Sequence, residues 1–173
     1  TSPSDGAAIF ARGVARMRVE YCVFEDNQAA ERGGAVFLIG TQKDVKGWGP
    51  FFGQCHFVRN TAARGGAMAM VDCAGVPQIA SSVYYGNVAT VAGGAFFGNY
   101  AYPYINNTTL VRNTLNPPSE TGGKTIALSG GHLQNSIIWN GDEDFTPHVI
   151  KLELNGDTAK LRALANNIER DFD

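Results

Sequence analysis

The chain has 173 residues, 44% of them hydrophobic and 17% charged, with 21 glycines and a formal net charge of −2. That is enough apolar material for one domain with its own core, and it excludes the basic stripe of a nucleic-acid binder. No apolar run is long enough to span a bilayer as a helix, and no basic-then-apolar leader opens the chain, which reads as a mature or excised segment.

In chain order, the first element is Gly6-Ala7-Ala8-Ile9-Phe10, a strand that begins almost at once with no capping helix before it. Tyr21-Cys22-Val23-Phe24 then alternates with period two and leads into Asn27. Gly33-Gly34-Ala35 follows, and after it a second apolar stretch, Val36-Phe37-Leu38-Ile39. From there the order repeats. The tetrapeptides Phe57–Asn60, Tyr84–Asn87, Leu110–Asn113 and Ile137–Asn140 each end on an asparagine, like Phe24–Asn27. The asparagines are spaced by 33, 27, 26 and 27 residues. Gly65-Gly66-Ala67 and Gly93-Gly94-Ala95 copy the glycine motif, with weaker copies at Asp5-Gly6-Ala7 and Gly122-Gly123-Lys124.

Two landmarks kept in one order define a solenoid, in which each unit buries its apolar face only against its neighbours. A helical solenoid is excluded by the glycine pairs, which would each cost about 1 kcal/mol per residue inside a helix. A leucine-rich repeat is excluded by the missing L-x-x-L-x-L pattern. The fold class is therefore all-β, a right-handed parallel β-helix of about five to six coils. The coils fall at residues 6–32, 33–64, 65–92, 93–121, 122–148 and 149–173, the last one degenerate.

Successive coils stack about 4.8 Å apart, so each repeated position forms a column. Phe24, Phe57, Tyr84, Leu110 and Ile137 form the expected inner ladder of large apolar groups. Two residues earlier, Cys22, Cys55, Ser82, Thr108 and Asn135 form an expected smaller column on the same side. Asn27, Asn60, Asn87, Asn113 and Asn140 form a turn column, where Asn tolerates the left-handed region and its amide bonds the copies above and below. The glycine pairs allow a tight corner, with Ala35, Ala67 and Ala95 just inside it. Lys124 stands where the fifth copy should have that alanine, which calls for a one-residue register shift there rather than a lysine that snorkels out. For 158–173 a strand is expected over a helix, because Ala165–Glu169 resembles Asn135-Ser136-Ile137, although Leu161, Leu164, Ala165 and Ile168 also fit a helix face capped by Asp157.

F-x-x-N followed by G-G-A-[ILV] resembles the repeat of the chlamydial polymorphic outer membrane proteins. Phe24–Asn27 and Phe57–Asn60 carry the first element and Gly33–Val36 the second, with Gly65–Met68 and Gly93–Phe96 ending in another apolar residue. Leu133–Asn140 is similar to the last coils of bacterial surface β-helix proteins. The resemblance spans residues 6–140. It implies a surface-exposed passenger domain that acts in adhesion.

Both ends look uncapped, so end-to-end or lateral packing with neighbouring β-helix segments is expected. Asp26, Arg59 and Arg112 share one column, but an Asp26–Arg59 pair reads as a surface salt bridge rather than an acid–base site. The acidic run Asp142-Glu143-Asp144 lacks the ligand spacing of a calcium loop and reads as a solvated turn. His56, His132 and His148 are too scattered for a metal site, and His56 should point outward. Cys22 and Cys55 are expected to be buried thiols in adjacent coils, with Cys73 unpartnered. No catalytic residue, metal or cofactor is assigned. Asn106 and Asn107 lie in overlapping sequons, relevant only in a eukaryotic secretory protein.

The candidate binding residues are aromatic and sit in loops. The long second coil carries Trp48, Phe51 and Phe52, and the fourth carries Tyr100, Tyr102 and Tyr104 at a comparable point. Stacked aromatics there suit sugar rings or a protein partner. The function expected is a non-enzymatic extracellular or cell-surface scaffold, adhesin-like or part of a surface assembly, whose partners are other protein chains or surface glycans. The alternative is a polysaccharide-binding or polysaccharide-cleaving lyase or hydrolase.

Overall fold

The computed structural model describes residues 5–118, 123–139, 150–152, 161–164 and 167–168. The described chain winds as a parallel β-helix of about five turns with no helix. Four sheets run along it. The first stacks Ile9–Arg12, Val36–Ile39, Met68–Val71, Phe96–Asn99, Ile126–Leu128 and Ile150–Leu152. The second stacks Arg18–Glu20, Trp48–Gly53, Val76–Ala80, Tyr104–Asn106, Gly131–Gln134 and Leu161–Leu164. The third stacks Val23–Glu25, His56–Val58, Val83–Tyr85, Thr109–Val111, Ile137–Trp139 and Asn167–Ile168. A shorter fourth stacks Thr61–Arg64, Val88–Ala92 and Thr114–Leu115. Leu161–Leu164 and Asn167–Ile168 are thus strands, as the Asn-Ile motif predicted, and not the turns of a helix.

A left-handed residue turns each corner. Tyr21, Gln54, Ser81, Asn107 and Asn135 make the turn between the second and third sheets, with φ between 48° and 56°. Asp26, Arg59, Gly86 and Arg112 make the next, and Gly6, Gly33, Gly65, Gly93 and Gly123 the one before the first sheet. Asn27, Asn60, Asn87 and Asn113 are therefore not the left-handed residues; the residue before each of these four is. This frees the asparagine to turn inward, and Asn60, Asn87 and Asn113 are fully buried.

Both members of each glycine pair are required, for different reasons. A Cβ on Gly65 would overlap the carbonyl of Met68, and its φ of +64° disfavours any side chain. A Cβ on Gly66 would run into the backbone carbonyls of Gly94 and Val88 in the next coil. In the fifth copy the register is shifted by one, as expected. Gly93 N–H donates to the Gly123 carbonyl, Gly94 to that of Lys124 and Ala95 to that of Thr125. Thr125, not Lys124, therefore takes the inward alanine's place.

The core fills the coil interior. Phe24 stacks on Phe57 at 4.7 Å and 12°, and Phe57 on Tyr84 at 4.5 Å and 4°. Leu110 continues the column. The fifth rung is Ile138, which pairs with Leu110, and not Ile137, which points outward and is 45% exposed. The smaller column shifts with it, so that Ser136 is buried where Asn135 was expected, and Asn135 sits exposed on the corner. Counting back from Asn140 misplaced this coil by one, and Asn140 itself lies outside the described residues. From the second sheet Phe52, Ile79, Ile105 and Leu133 point in, and from the first Leu38, Met70 and Leu128. Each such side chain contributes about 1.5–3 kcal/mol by leaving water.

Candidate functional site

Three columns face the interior or its corner and explain most of the conserved-looking pattern within the repeat. In the smaller column Cys22, Cys55, Ser82, Thr108 and Ser136 each donate to the carbonyl two residues back, at 2.8–3.2 Å. Ser82 Oγ also accepts from Cys55 N, and Ser136 Oγ from Thr108 N. This position asks for a small donor, which thiol and hydroxyl both supply. All three cysteines are free; Cys55 is buried as expected but Cys22, in the first coil, only partly so, and burial raises the Cys55 and Cys73 thiols above their ordinary range. In the asparagine column each Oδ1 accepts the backbone N–H and the amide of the asparagine one coil earlier, at 2.8–3.1 Å. Each Nδ2 also donates to the carbonyl of the inner aromatic one coil back: Asn60 to Phe24, Asn87 to Phe57 and Asn113 to Tyr84.

Asp26 and Arg59 form the surface pair expected from the sequence. Arg59 donates to both Asp26 oxygens at 2.8–2.9 Å and to Glu25 at 2.7 Å. The guanidinium holds the Asp26 carboxyl below its usual range, but every partner is exposed, so this is a surface salt bridge. Arg112 reaches the Tyr85 hydroxyl instead, at 3.4 Å. His56 faces outward. Asp142-Glu143-Asp144 and His148 lie outside the described residues.

The outer face of the second sheet carries a different chemistry. Arg18, Phe51, Gln78, Tyr104 and His132 occupy one column in register, one per coil. The Arg18 guanidinium lies 4.4 Å over the Phe51 ring and is ion-paired with Glu20. Tyr104 lies 5.6 Å from His132 and 6.3 Å from Trp48, edge-on to the latter, and its hydroxyl donates to Gln134 Oε1 at 2.7 Å. Beside this column an open cleft of about 560 Å³ is lined by Arg16, Met17, Arg18, residues 44–46, Trp48, Gly49, Phe51 and Gln78. One wall is the long loop of the second coil. Asp44 ties that loop down by accepting from the N–H groups of Lys46 at 2.7 Å and Trp48 at 2.9 Å.

Of the aromatic residues singled out from the sequence, Trp48, Phe51 and Tyr104 meet on this face. Tyr102 shares its side by alternation, since Ala101, Pro103 and Ile105 are buried between Tyr102, Tyr104 and Asn106. Tyr100 turns the preceding corner with φ of 49° and is half exposed. Phe52 does not belong to the face. It is fully buried and packs against Phe57 in the core, because it is the inward residue of its strand. Arg16, Arg18 and Gln78 are not among the sequence-predicted residues, and His132 is among them only as a histidine too scattered for a metal site. The first-column signal was available, since Arg18, Phe51, Gln78 and Tyr104 each stand nine residues before a repeat asparagine.

Part of one turn also has a counterpart among known proteins. Residues 21–38 match the Chlamydia polymorphic membrane protein repeat. The matched stretch begins on the Tyr21 corner, includes Phe24, Asn27 and the Gly33-Gly34 corner, and ends on the inward Leu38. In this chain the matched stretch thus holds residues that close one coil on the next: an inner aromatic, a ladder asparagine and a glycine corner. No curated protein and no solved structure matches the chain.

Proposed function

We propose that this chain is a non-enzymatic β-helix scaffold of an extracellular or cell-surface protein, adhesin-like, that presents its outer faces to a partner. The match of residues 21–38 to a repeat of chlamydial membrane proteins carries the reading. The columns support it, because they spend the repeat's characteristic residues on holding coils together and leave the outward positions to vary. Antibodies raised against the chain, applied to intact source cells, test the location; labelling only after permeabilisation would refute a surface role. Incubation with acidic and neutral polysaccharides, followed by assay of new reducing or unsaturated ends, tests the absence of catalysis. Turnover at an enzymatic rate would replace this reading with a lyase or hydrolase.

The cleft on the second sheet favours a binding role for that scaffold, with surface glycans ahead of other protein chains as partners. Its aromatic rings and the Gln78 amide are the mixture that recognises sugar rings.

A further inference from the structure

Trp48 and Phe51 are three residues apart in one strand, so regular alternation would send one of them inward. It does not, because the register slips between them: Trp48 pairs with Val76 and Phe51 with Gln78, three steps against two. This bulge puts both rings on the outer face, where each is partly exposed. The core does not need it, since Phe52 already fills the interior of this coil. The same coil spends its extra loop on the cleft wall, and Asp44 fixes that loop to the Trp48 backbone. Two features thus converge on one place: an insertion, and a bulge that turns a pair of aromatics outward.

The charge of the cleft runs against that of the chain. Arg16, Arg18 and Lys46 line it; Glu20 neutralises Arg18, so Arg16 and Lys46 face one carboxylate, Asp44, while the chain as a whole carries −2. From the cleft the column continues along the axis through Phe51, Gln78 and Tyr104, one residue per coil and thus about 4.8 Å apart. That step is close to the length of one sugar ring. A saccharide lying along the axis would meet one side chain per ring, rings stacking on aromatics and hydroxyls meeting Gln78 and Gln134, with its anionic end among the cations.

We propose that the outer face of the second sheet, from Arg16, Lys46 and Trp48 along Phe51, Gln78 and Tyr104, binds an acidic glycan whose sugar rings bear carboxylate or sulfate groups. The inference rests on the binding role proposed above, and the two fail separately: surface labelling reports on location, affinity on this face.

The test is affinity electrophoresis of the full chain through gels containing polygalacturonate, a heparin-type sulfated glycan or neutral dextran. Retardation by polygalacturonate or by the sulfated glycan is expected, and which of the two acts assigns the anionic group. It should weaken with added salt, as screened charge pairs do. Trp48→Ala should weaken binding about tenfold or more. The double variant Arg16→Ala/Lys46→Ala changes only exposed side chains, so it tests the site even if Trp48→Ala unfolds; it should lower affinity and flatten the salt dependence. Trp139→Ala, on the third sheet, should leave binding unchanged. Absence of retardation by both acidic polymers, equal retardation by dextran, or equal losses from Trp139→Ala and the cleft variants would overturn the proposal.

Discussion

The asparagine column allows a prediction whose size follows from counting partners. Asn87 is fully buried, and its side chain takes part in four hydrogen bonds. Its Oδ1 accepts from Asn60 N and Nδ2, and its Nδ2 donates to Phe57 O and Asn113 Oδ1. In Asn87→Ala the Asn60 N–H loses that acceptor inside the coil, which costs about 1–3 kcal/mol. Asn60 Nδ2 keeps Phe24 O, and Asn113 Oδ1 keeps the Asn87 backbone N–H, so the other three losses weigh roughly 0.5–1.5 kcal/mol each. The expected destabilisation is about 2.5–7.5 kcal/mol. Asn27 provides the internal comparison, because its side chain donates one bond, to Asn60 Oδ1, and is only partly buried. Asn27→Ala should cost about 0.5–1.5 kcal/mol. Urea unfolding followed by far-UV circular dichroism measures both, with the difference read from the transition midpoints. Equal losses from the two variants, or a loss from Asn87→Ala below about 1 kcal/mol, would show that the ladder does not hold the coils together.

Three further outcomes follow from the same interior. The Tyr84 hydroxyl is buried with no hydrogen-bond partner, so Tyr84→Phe should stabilise the fold by about 1 kcal/mol and raise Tm by a few degrees; a fall in Tm on calorimetry would sink this. Gly66→Ala places a Cβ against the carbonyls of the next coil and should cost about 3 kcal/mol. Gly86→Ala meets only the Arg59 Cγ at 3.7 Å, so its cost should be the left-handed penalty of about 1–2 kcal/mol, and reversal of that order in thermal unfolding would contradict the corner geometry. Cys55→Ser should change stability by under about 1 kcal/mol, since serine already fills the same role at Ser82 and Ser136, while folded protein should react slowly with a thiol reagent at Cys55 and Cys73.

The repeat was legible because its residues are dictated by neighbours of the same kind. A ring at Phe57 needs rings at Phe24 and Tyr84 to stack on, and a glycine at Gly66 leaves room for the Gly94 carbonyl, so the pattern recurs in the sequence. Where the recurrence weakens, the sequence no longer marks the inward residue. Ile137 and Ile138 are both β-branched and adjacent, and only the hydroxyl of Ser136, bonded to Thr108 N and Gln134 O, shows which of them turns inward. The candidate face on the second sheet is half legible for the same reason. Trp48 and Phe51 stood out as aromatic, but Phe52 was grouped with them because composition does not distinguish the inward ring from the outward one. The bulge that sets Trp48 and Phe51 side by side is a property of pairing with Val76 and Gln78, which one strand read alone does not reveal.

The left-handed glycines that enter the first sheet stand at positions 6, 33, 65, 93 and 123, at intervals of 27, 32, 28 and 30 residues. The inner columns nevertheless remain in step across all five. Each corner therefore resets the count, and chain length between corners is a free variable that the interior never senses. Selection can lengthen a loop, as in the second coil, without renegotiating a core contact. Such a molecule separates heredity of shape from novelty of surface: the frame is copied coil by coil, while the text written on its outside can be revised one line at a time.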